Sequence, residues 1–475
     1  MAADPLAPAW LERPGDANAL DPAVWSRNAA RTPSGELRLG GVGVQELAEA
    51  FGTPLYVLDE SDVRSRAEEV RGAFQREFAR IGTDVTVYYA AKAFLCTEMA
   101  RWMIAAGLNI DVASGGELAV ALAAGAPAER LGFHGNNKSL AEIDRAVASG
   151  VGVIVIDSET EIGRIAEAAR RHGIRQAVRL RVNTGVHAHT HEYLATARED
   201  QKFGIAMPDA AGSVAEIRSR SDLRFLGLHA HIGSQIFDAE GFTASVARLM
   251  ELHALLLRDG EAPELNLGGG FGIPYTSADD AMPIGELARR LADAVAAEAA
   301  RRGVPIPHLA VEPGRVIVGP STTTLYRVGT VKDVEVLIDG GTAIRKYISV
   351  DGGMSDNVRP ALYGADYSVR LAGRVSAAEP ALVRVAGKHC ESGDIVVHAD
   401  YLPGDVQPDD LVAVPATGAY CWSLASNYNY LARPPVVAVR DGAARVIVRG
   451  ETEEDLLSRD AGIARPGRAA TNGAP

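Results

Sequence analysis

Cysteine is scarce: the 475 residues hold three, Cys96, Cys390 and Cys421. So odd and sparse a set excludes a disulfide framework and fits a reducing compartment. Long apolar runs are also missing. No stretch reaches the roughly 18 consecutive apolar residues of a membrane span. There is no basic excess, since 48 Lys and Arg face 61 Asp and Glu, a net charge of −13. That balance argues against nucleic acid or an anionic membrane as partner. The opening "MAADPLAPAWLERPGD" has neither a basic nor an apolar region of signal-peptide type, so a cytoplasmic protein is expected. What is present is globular: 47% hydrophobic and 23% charged residues, in a chain long enough for two or three domains.

Between about Asp84 and Gly314 short apolar runs alternate with Ala-, Leu- and Arg-rich helical stretches. The runs are "VTVYYAAK" (85–92), "NIDVAS" (109–114), "RLGFHG" (130–135), "VGVIVID" (151–157), "AVRLRVN" (177–183), "FLGLHAHIG" (225–233), "ELNLGGG" (264–270) and "LAVEPG" (309–314). Eight strand–helix repeats indicate a (β/α)₈ TIM-type barrel. After Pro320 the texture becomes β-rich, with runs such as "TTTLYRVGTVKDVEVL" and "DIVVHADYLP", and a mostly antiparallel second domain is expected. The expected division is an N-terminal segment 1–59 whose last strand joins the β domain, a barrel over 60–318, a β domain over 319–460 and a disordered tail over 461–475. The first 35 or so residues, rich in Pro, Ala and charge, read as surface.

Barrels of this kind carry catalytic groups at the C-terminal ends of their strands. Here those ends read Lys92, Ser114, His134, Asp157, Asn183, His231, the glycines at 268–270, and Glu312. Lys92 ends an apolar run. It either snorkels to water or sits in a pocket as a Schiff-base lysine with a lowered pKa. "NLGGGFG" (266–272) is either a flexible turn or a backbone cradle for an anion, and its place after the seventh run favours a phosphate. "EPGR" (312–315) adds a carboxylate and a guanidinium. In "HAHIGSQ" (229–235), His229 and His231 share a strand face. They could be a metal pair, one core and one site histidine, or, for His231, a flat ring against a flat cofactor; Ser234 could take phosphate oxygens. His187, His189 and His191 alternate in a metal-like way but have no distant ligand set, and no metal is expected. In "KHCESGD" (388–394), Cys390 is either a buried small residue or a proton donor or nucleophile. "NVRPALYG" carries Arg359 and Tyr363, and "GAYCWSLASNYN" carries Tyr420.

In this order "YYAAKA", "HIGSQ", "NLGGGFGIPY", "EPGR", "VRPALYG", "CESGD" and "GAY" resemble the fold-type III decarboxylases that use pyridoxal phosphate, over roughly Gly43 to Leu457. "CESGD" and "RPALYG" favour the diaminopimelate branch. Val358 and Thr184 stand where that family commonly has proline. The resemblance implies a carboxy-lyase that converts meso-2,6-diaminopimelate to L-lysine and CO₂. The alternative is a relative acting on ornithine, arginine or carboxynorspermidine. It implies that Lys92 holds the cofactor as an imine and that His231 stacks on its ring. Ser234, Gly269, Gly270, Gly314 and Arg315 would bind its phosphate side, and Glu312 would face the pyridine nitrogen. Arg315, Arg359, Tyr363, Glu391 and Tyr420 would hold substrate, with Tyr420 also touching the cofactor. Cys390 would return a proton. It further implies a homodimer with shared sites, in which the second subunit contributes Cys390 and Glu391.

Overall fold

The computed structural model describes residues 4–186 and 202–463; the trio His187, His189 and His191 lies outside them. Strand β1 (Leu55–Asp59) is buried throughout and runs into helix Glu60–Arg80, where the Asp59 carboxylate caps by accepting the Asp62 N–H. Eight strands follow: β2 (Val85–Ala90), β3 (Asn109–Val112), β4 (Leu131–Phe133), β5 (Val153–Ile156), β6 (Gln176–Asn183), β7 (Leu223–His229), β8 (Glu264–Asn266) and β9 (His308–Val311). Each pairs in parallel with the next, and β9 pairs with β2, so the ring closes. The expected TIM-type barrel is present.

Local chemistry sets the alternation. β-Branched and aromatic residues make β2, and the buried positions of its successors are mostly filled by Val, Ile, Leu and Phe. A capping box of Ser139 and Glu142 starts helix Leu140–Ala148, and Gly173, with φ of 65°, stops helix Glu159–His172 in the left-handed conformation that glycine adopts freely. Inside the ring, Tyr88, Val153, Ala177, Leu226 and Ala310 form an apolar layer separate from the main core. Arg179 crosses that layer, its guanidinium 5.2 Å from the Tyr88 ring and 2.7 Å from Glu264. A buried cation is tolerated there because its partner carboxylate and ring meet it directly. The barrel is plugged, so only its C-terminal mouth is free for a ligand.

The second domain is built on β10 (Thr322–Ile338), which pairs antiparallel with β11 (Gly341–Val350). β12 (Pro380–Ala386) runs parallel to β11, and β13 (Ile395–Pro403) antiparallel to β12. β14 (Leu411–Val414) joins β10 on its other side, and β15 (Val436–Arg440) pairs with β16 (Ala443–Val448). β1 lies between β10 and β15, so the strand before the barrel is central to the later sheet. One expectation is corrected. The first 35 residues are not all surface, because Val24 and Trp25 are apolar enough to join the main core, at 0% and 2% exposure. Among the described residues no helix is long and apolar enough to cross a membrane.

Candidate active site

β2 ends at Ala90, and one tight turn, Ala91–Ala93, presents Lys92 at the barrel mouth. The turn is pinned on both sides. The Ala90 N–H donates to the Pro313 carbonyl at 3.0 Å, and the Ala93 carbonyl accepts the Tyr420 N–H at 2.8 Å. Tyr420 makes that bond from the left-handed region, at φ 71°. For a tyrosine this costs roughly 1–3 kcal/mol, a strain found mostly at functional sites.

Three adjoining cavities, of about 810, 560 and 30 Å³, all include Lys92 in their walls. Lys92 is therefore exposed to cavity space. That space is lined by polar and ionisable side chains, among them His231, Ser234, Glu312 and Arg315. The amine is not shielded by the chain itself, since the walls converge on a space beside it.

One wall is acidic. Glu312, just past β9, accepts from Asn266 Nδ2 at 2.7 Å and lies 3.1 Å from His229 Nε2. Burial opposes its charge, but His134 and His229 outweigh burial and hold the carboxyl well below its ordinary value. Burial pushes His229 down to about 4, so at neutral pH it is a neutral ring donating Nε2–H to Glu312. His134 Nε2 lies 3.2 Å from Asp111 and 3.3 Å from Glu312. Burial, with Glu312 adding to it, pushes Asp111 up to about 7. Two carboxyls thus share one pocket with their titrations driven in opposite directions, Glu312 toward the ionised form and Asp111 toward the neutral one. The ligand-type atoms of His134, His229 and Glu312 lie within 4.8 Å of one another. His229 is hydrogen-bonded to Glu312, and the His134 ring meets the His229 ring edge-on at 5.0 Å.

A second wall is the glycine run. A Cβ on Gly269 would stand 2.0 Å from the Glu312 carbonyl, and one on Gly270, at φ 109°, 2.2 Å from the Gly233 carbonyl. The glycines first let the loops after β7, β8 and β9 pack backbone to backbone. The Gly268 N–H goes to Asn266 at 2.8 Å and the Gly269 N–H to His231 Nδ1 at 3.3 Å. Gly270 is the member of the run that lines the Lys92 cavity, beside Gly314. Gly269 acts behind His231, whose imidazole burial and Lys92 hold neutral, well below its ordinary value.

The outer wall is cationic. Arg315 donates to Ser234 Oγ at 2.8 Å and to the Tyr275 hydroxyl, and its guanidinium lies 4.7 Å from the Tyr420 ring centre. Its buried Nε has no hydrogen-bond partner among the described residues. Arg359 donates to the Tyr367 hydroxyl and lies 4.5 Å from the Tyr275 ring. Tyr275 therefore stands between two guanidiniums, and Tyr363 lies on the rim. Cys390 and Glu391 are not among the residues lining these cavities; both are exposed on a turn of the β domain. Asp394 holds that turn, accepting the Met354 N–H at 2.6 Å and the His389 N–H at 2.8 Å.

The other strand-end residues divide. His134 reaches the site. Ser114 caps helix Gly115–Ala123, and Asn183 accepts the Gly185 N–H at 2.9 Å. Asp157 accepts the Gly204 N–H at 3.2 Å and lies 3.7 Å from Arg181. Sequence reading missed Asp111 and Arg181. Their signal was there: a charge inside an otherwise apolar barrel strand must point either to solvent or into the ring. Tyr367 carried none, being a loop residue, and Tyr275 stood in "NLGGGFGIPY" without a role, which comes from the arginines it faces.

The donor set fits pyridoxal phosphate. It offers one amine for the aldehyde, a carboxylate held ionised for the ring nitrogen and a flat neutral imidazole for the ring face. Ser234, Gly270, Gly314 and the free Nε of Arg315 are available for the phosphate. Residues 61–319 match the family of pyridoxal-dependent decarboxylases through its pyridoxal binding domain. The chain is similar to a diaminopimelate decarboxylase of Mycobacterium tuberculosis, 52% identical over 451 residues covering 92% of this chain and 98% of that one. It is similar to the Bacillus subtilis diaminopimelate decarboxylase at 42% identity over 431 residues, covering 90% and 95%. A crystal structure of the diaminopimelate decarboxylase from M. jannaschii with L-lysine superposes with a TM-score of 0.85 at 30% identity, covering 93% and 99%. A pinned lysine, an ionised glutamate at the end of the neighbouring strand, and relatives matched over nearly their whole length place this chain in the diaminopimelate decarboxylase family of pyridoxal-dependent decarboxylases.

Proposed function

We propose that this protein decarboxylates meso-2,6-diaminopimelate at its D-centre to give L-lysine and CO₂, the last step of lysine biosynthesis, as a cytoplasmic homodimer. The observation that carries the reading is the shared space of Lys92, Glu312, Arg315 and Arg359: an amine and an ionised carboxylate at the inner end, two guanidiniums at the outer. We take the division 1–59, 60–318, 319–460 and 461–475 as its working map.

Lys92 is assigned to hold the cofactor's aldehyde carbon, His231 its ring face, and Ser234, Gly270, Gly314 and Arg315 its phosphate. Gly269 is assigned to orient His231. Bound pyridoxal phosphate supplies an electron sink for the pair left behind by departing CO₂. Glu312 keeps a proton on the ring nitrogen, which is what makes the ring accept those electrons. Arg359 and Tyr363, with Arg315 and Tyr420, hold the substrate's distal carboxylate and fix its length. A substrate that leaves those buried guanidiniums unpaired forfeits several kcal/mol, roughly 2–5. Cys390 of the partner subunit returns a proton to Cα from its thiol, and Glu391 of the partner subunit takes the distal ammonium. That assignment in trans explains why the two residues stand exposed and away from their own chain's cavities.

The test is to supply meso-diaminopimelate, ornithine, arginine and carboxynorspermidine in turn and to measure CO₂ release and, by mass spectrometry, the product. Lysine from meso-diaminopimelate is expected. Turnover of another member of the panel in its place would give the site to the related decarboxylases.

A further inference from the structure

The segment before the barrel contains a side chain that its packing does not explain. Two consecutive turns, closed by Ala7 N–H to Asp4 carbonyl and Leu11 N–H to Pro8 carbonyl, both at 3.0 Å, fold residues 4–11 into a short strap. Leu6, Ala7 and Leu11 pack on Leu382, Ala399 and Tyr401 of the β domain, a cluster separate from the main core. Further along, Arg13 pairs with Glu379 at 3.0 Å, and Asn18 exchanges bonds with Ser376 at 2.9 and 3.1 Å. The strap is thus anchored without Trp10.

Trp10, the largest residue of the strap, does not join the apolar cluster. It lines the 810 Å³ cavity together with Lys92, Arg315, Arg359 and Tyr363. It is only half-buried, and its indole N–H has no hydrogen-bond partner among the described residues. An indole left partly in water, with its one donor free, in the wall of a site built for a dicarboxylic amino acid, is poorly placed for stability and well placed for recognition. The other tryptophans contrast with it: Trp25 and Trp102 are buried, and Trp422 packs edge-on against Phe94 at 5.4 Å.

We infer that Trp10 is a specificity-determining residue, part of the outer wall of the substrate cavity, whose ring covers the substrate's aliphatic chain and whose N–H meets its distal carboxylate. The inference rests on the proposed substrate. Because the strap is held by contacts of its own, changing Trp10 alters the wall and leaves the fold and the Lys92 end intact.

The test uses the pyridoxal-phosphate-loaded enzyme with meso-diaminopimelate. Trp10→Ala is expected to raise KM roughly ten- to a hundredfold, the worth of one lost hydrogen bond to a charged group plus a ring contact, with kcat within about twofold. Trp10→Phe keeps the ring and loses only the donor, and should fall between. A second readout is intrinsic fluorescence during titration with L-lysine. The unmodified enzyme should respond, and Trp10→Phe should lose most of that response. Unchanged KM in Trp10→Ala, or an undiminished L-lysine response in Trp10→Phe, would overturn the inference. A loss of kcat at constant KM would overturn it too, since a wall residue acts on binding. Failure of the unmodified enzyme to act on meso-diaminopimelate would instead sink the substrate reading, and is seen before any variant is made.

Discussion

Glu312 keeps its charge in a buried place because His134, His229 and Asn266 all turn polar hydrogens or positive edges toward it. Glu312→Gln retains the shape and removes the charge. The expected outcome is a cofactor still bound, seen as visible absorbance, with kcat reduced roughly 10²–10³-fold; full turnover would show that the ring nitrogen needs no carboxylate. Asp356 offers a pH test remote from the cofactor. It is buried beneath the Tyr326 hydroxyl and the Gly353 N–H, and burial pushes it up to about 7 from 3.8. In the unfolded chain it ionises near 3.8, so the folded state binds the extra proton between those values. Its contribution to stability is complete below about pH 4 and is lost as pH rises through about 7. Relative to Asp356→Asn, the native protein should therefore lose stability from pH 4 to 7, by on the order of a few kcal/mol, as measured by denaturant melts. Parallel curves would refute the assignment. At this scale the sequence was readable wherever a residue's chemistry broke its local pattern: Lys92 after an apolar run, Glu312 and Arg315 around a proline and a glycine. The role of Tyr275 was not readable, because facing two guanidiniums depends on how its loop meets the starts of two short helices, at Arg315 and Arg359.

The strand–helix rhythm was legible because each unit carries its own punctuation, as with the Ser139 capping box and the Gly173 stop. Loop-to-loop contact was not. The glycine run looked like an anion cradle, yet two of its three N–H groups serve Asn266 and His231. Gly269→Ala would drive a methyl into the Glu312 backbone carbonyl, 2.0 Å from where its Cβ must sit. Backbone cannot swing aside as a side chain can. Lost stability of roughly 1–3 kcal/mol and weaker binding of pyridoxal phosphate are expected, read by melting and by equilibrium titration of the cofactor; native values for both would mean that these loops are not in contact. The Cys390 turn has a comparable dependence. Asp394 joins it to the segment leading to Arg359 through Met354, and pairs with the His389 ring at 2.9 Å. Asp394→Asn is expected to speed alkylation of Cys390, because the turn that holds the thiol loses the carboxylate that accepts the His389 and Met354 N–H groups. An unchanged alkylation rate would leave Asp394 without that role.

The whole molecule is a plugged barrel whose working mouth is flanked by turns and a short helix of a domain whose sheet begins before the barrel and ends after it. β1 made this arrangement hard to foresee, since a central strand of the second domain precedes the first domain in sequence. The proposed sharing of sites has a direct consequence. Lys92→Ala and Cys390→Ala subunits are each inactive alone, but mixing them should restore about a quarter of native activity, since half the dimers are hybrids with one intact site. No recovery on mixing would place Cys390 in its own chain's site. Beneath all of this stands the claim that one amine at the barrel mouth carries the cofactor. Borohydride reduction of the pyridoxal-phosphate-loaded protein, followed by peptide mapping, tests it most directly. The reduced cofactor should be found on Lys92 and be lost in Lys92→Ala; a label on another lysine, or none on the native protein, would contradict the account.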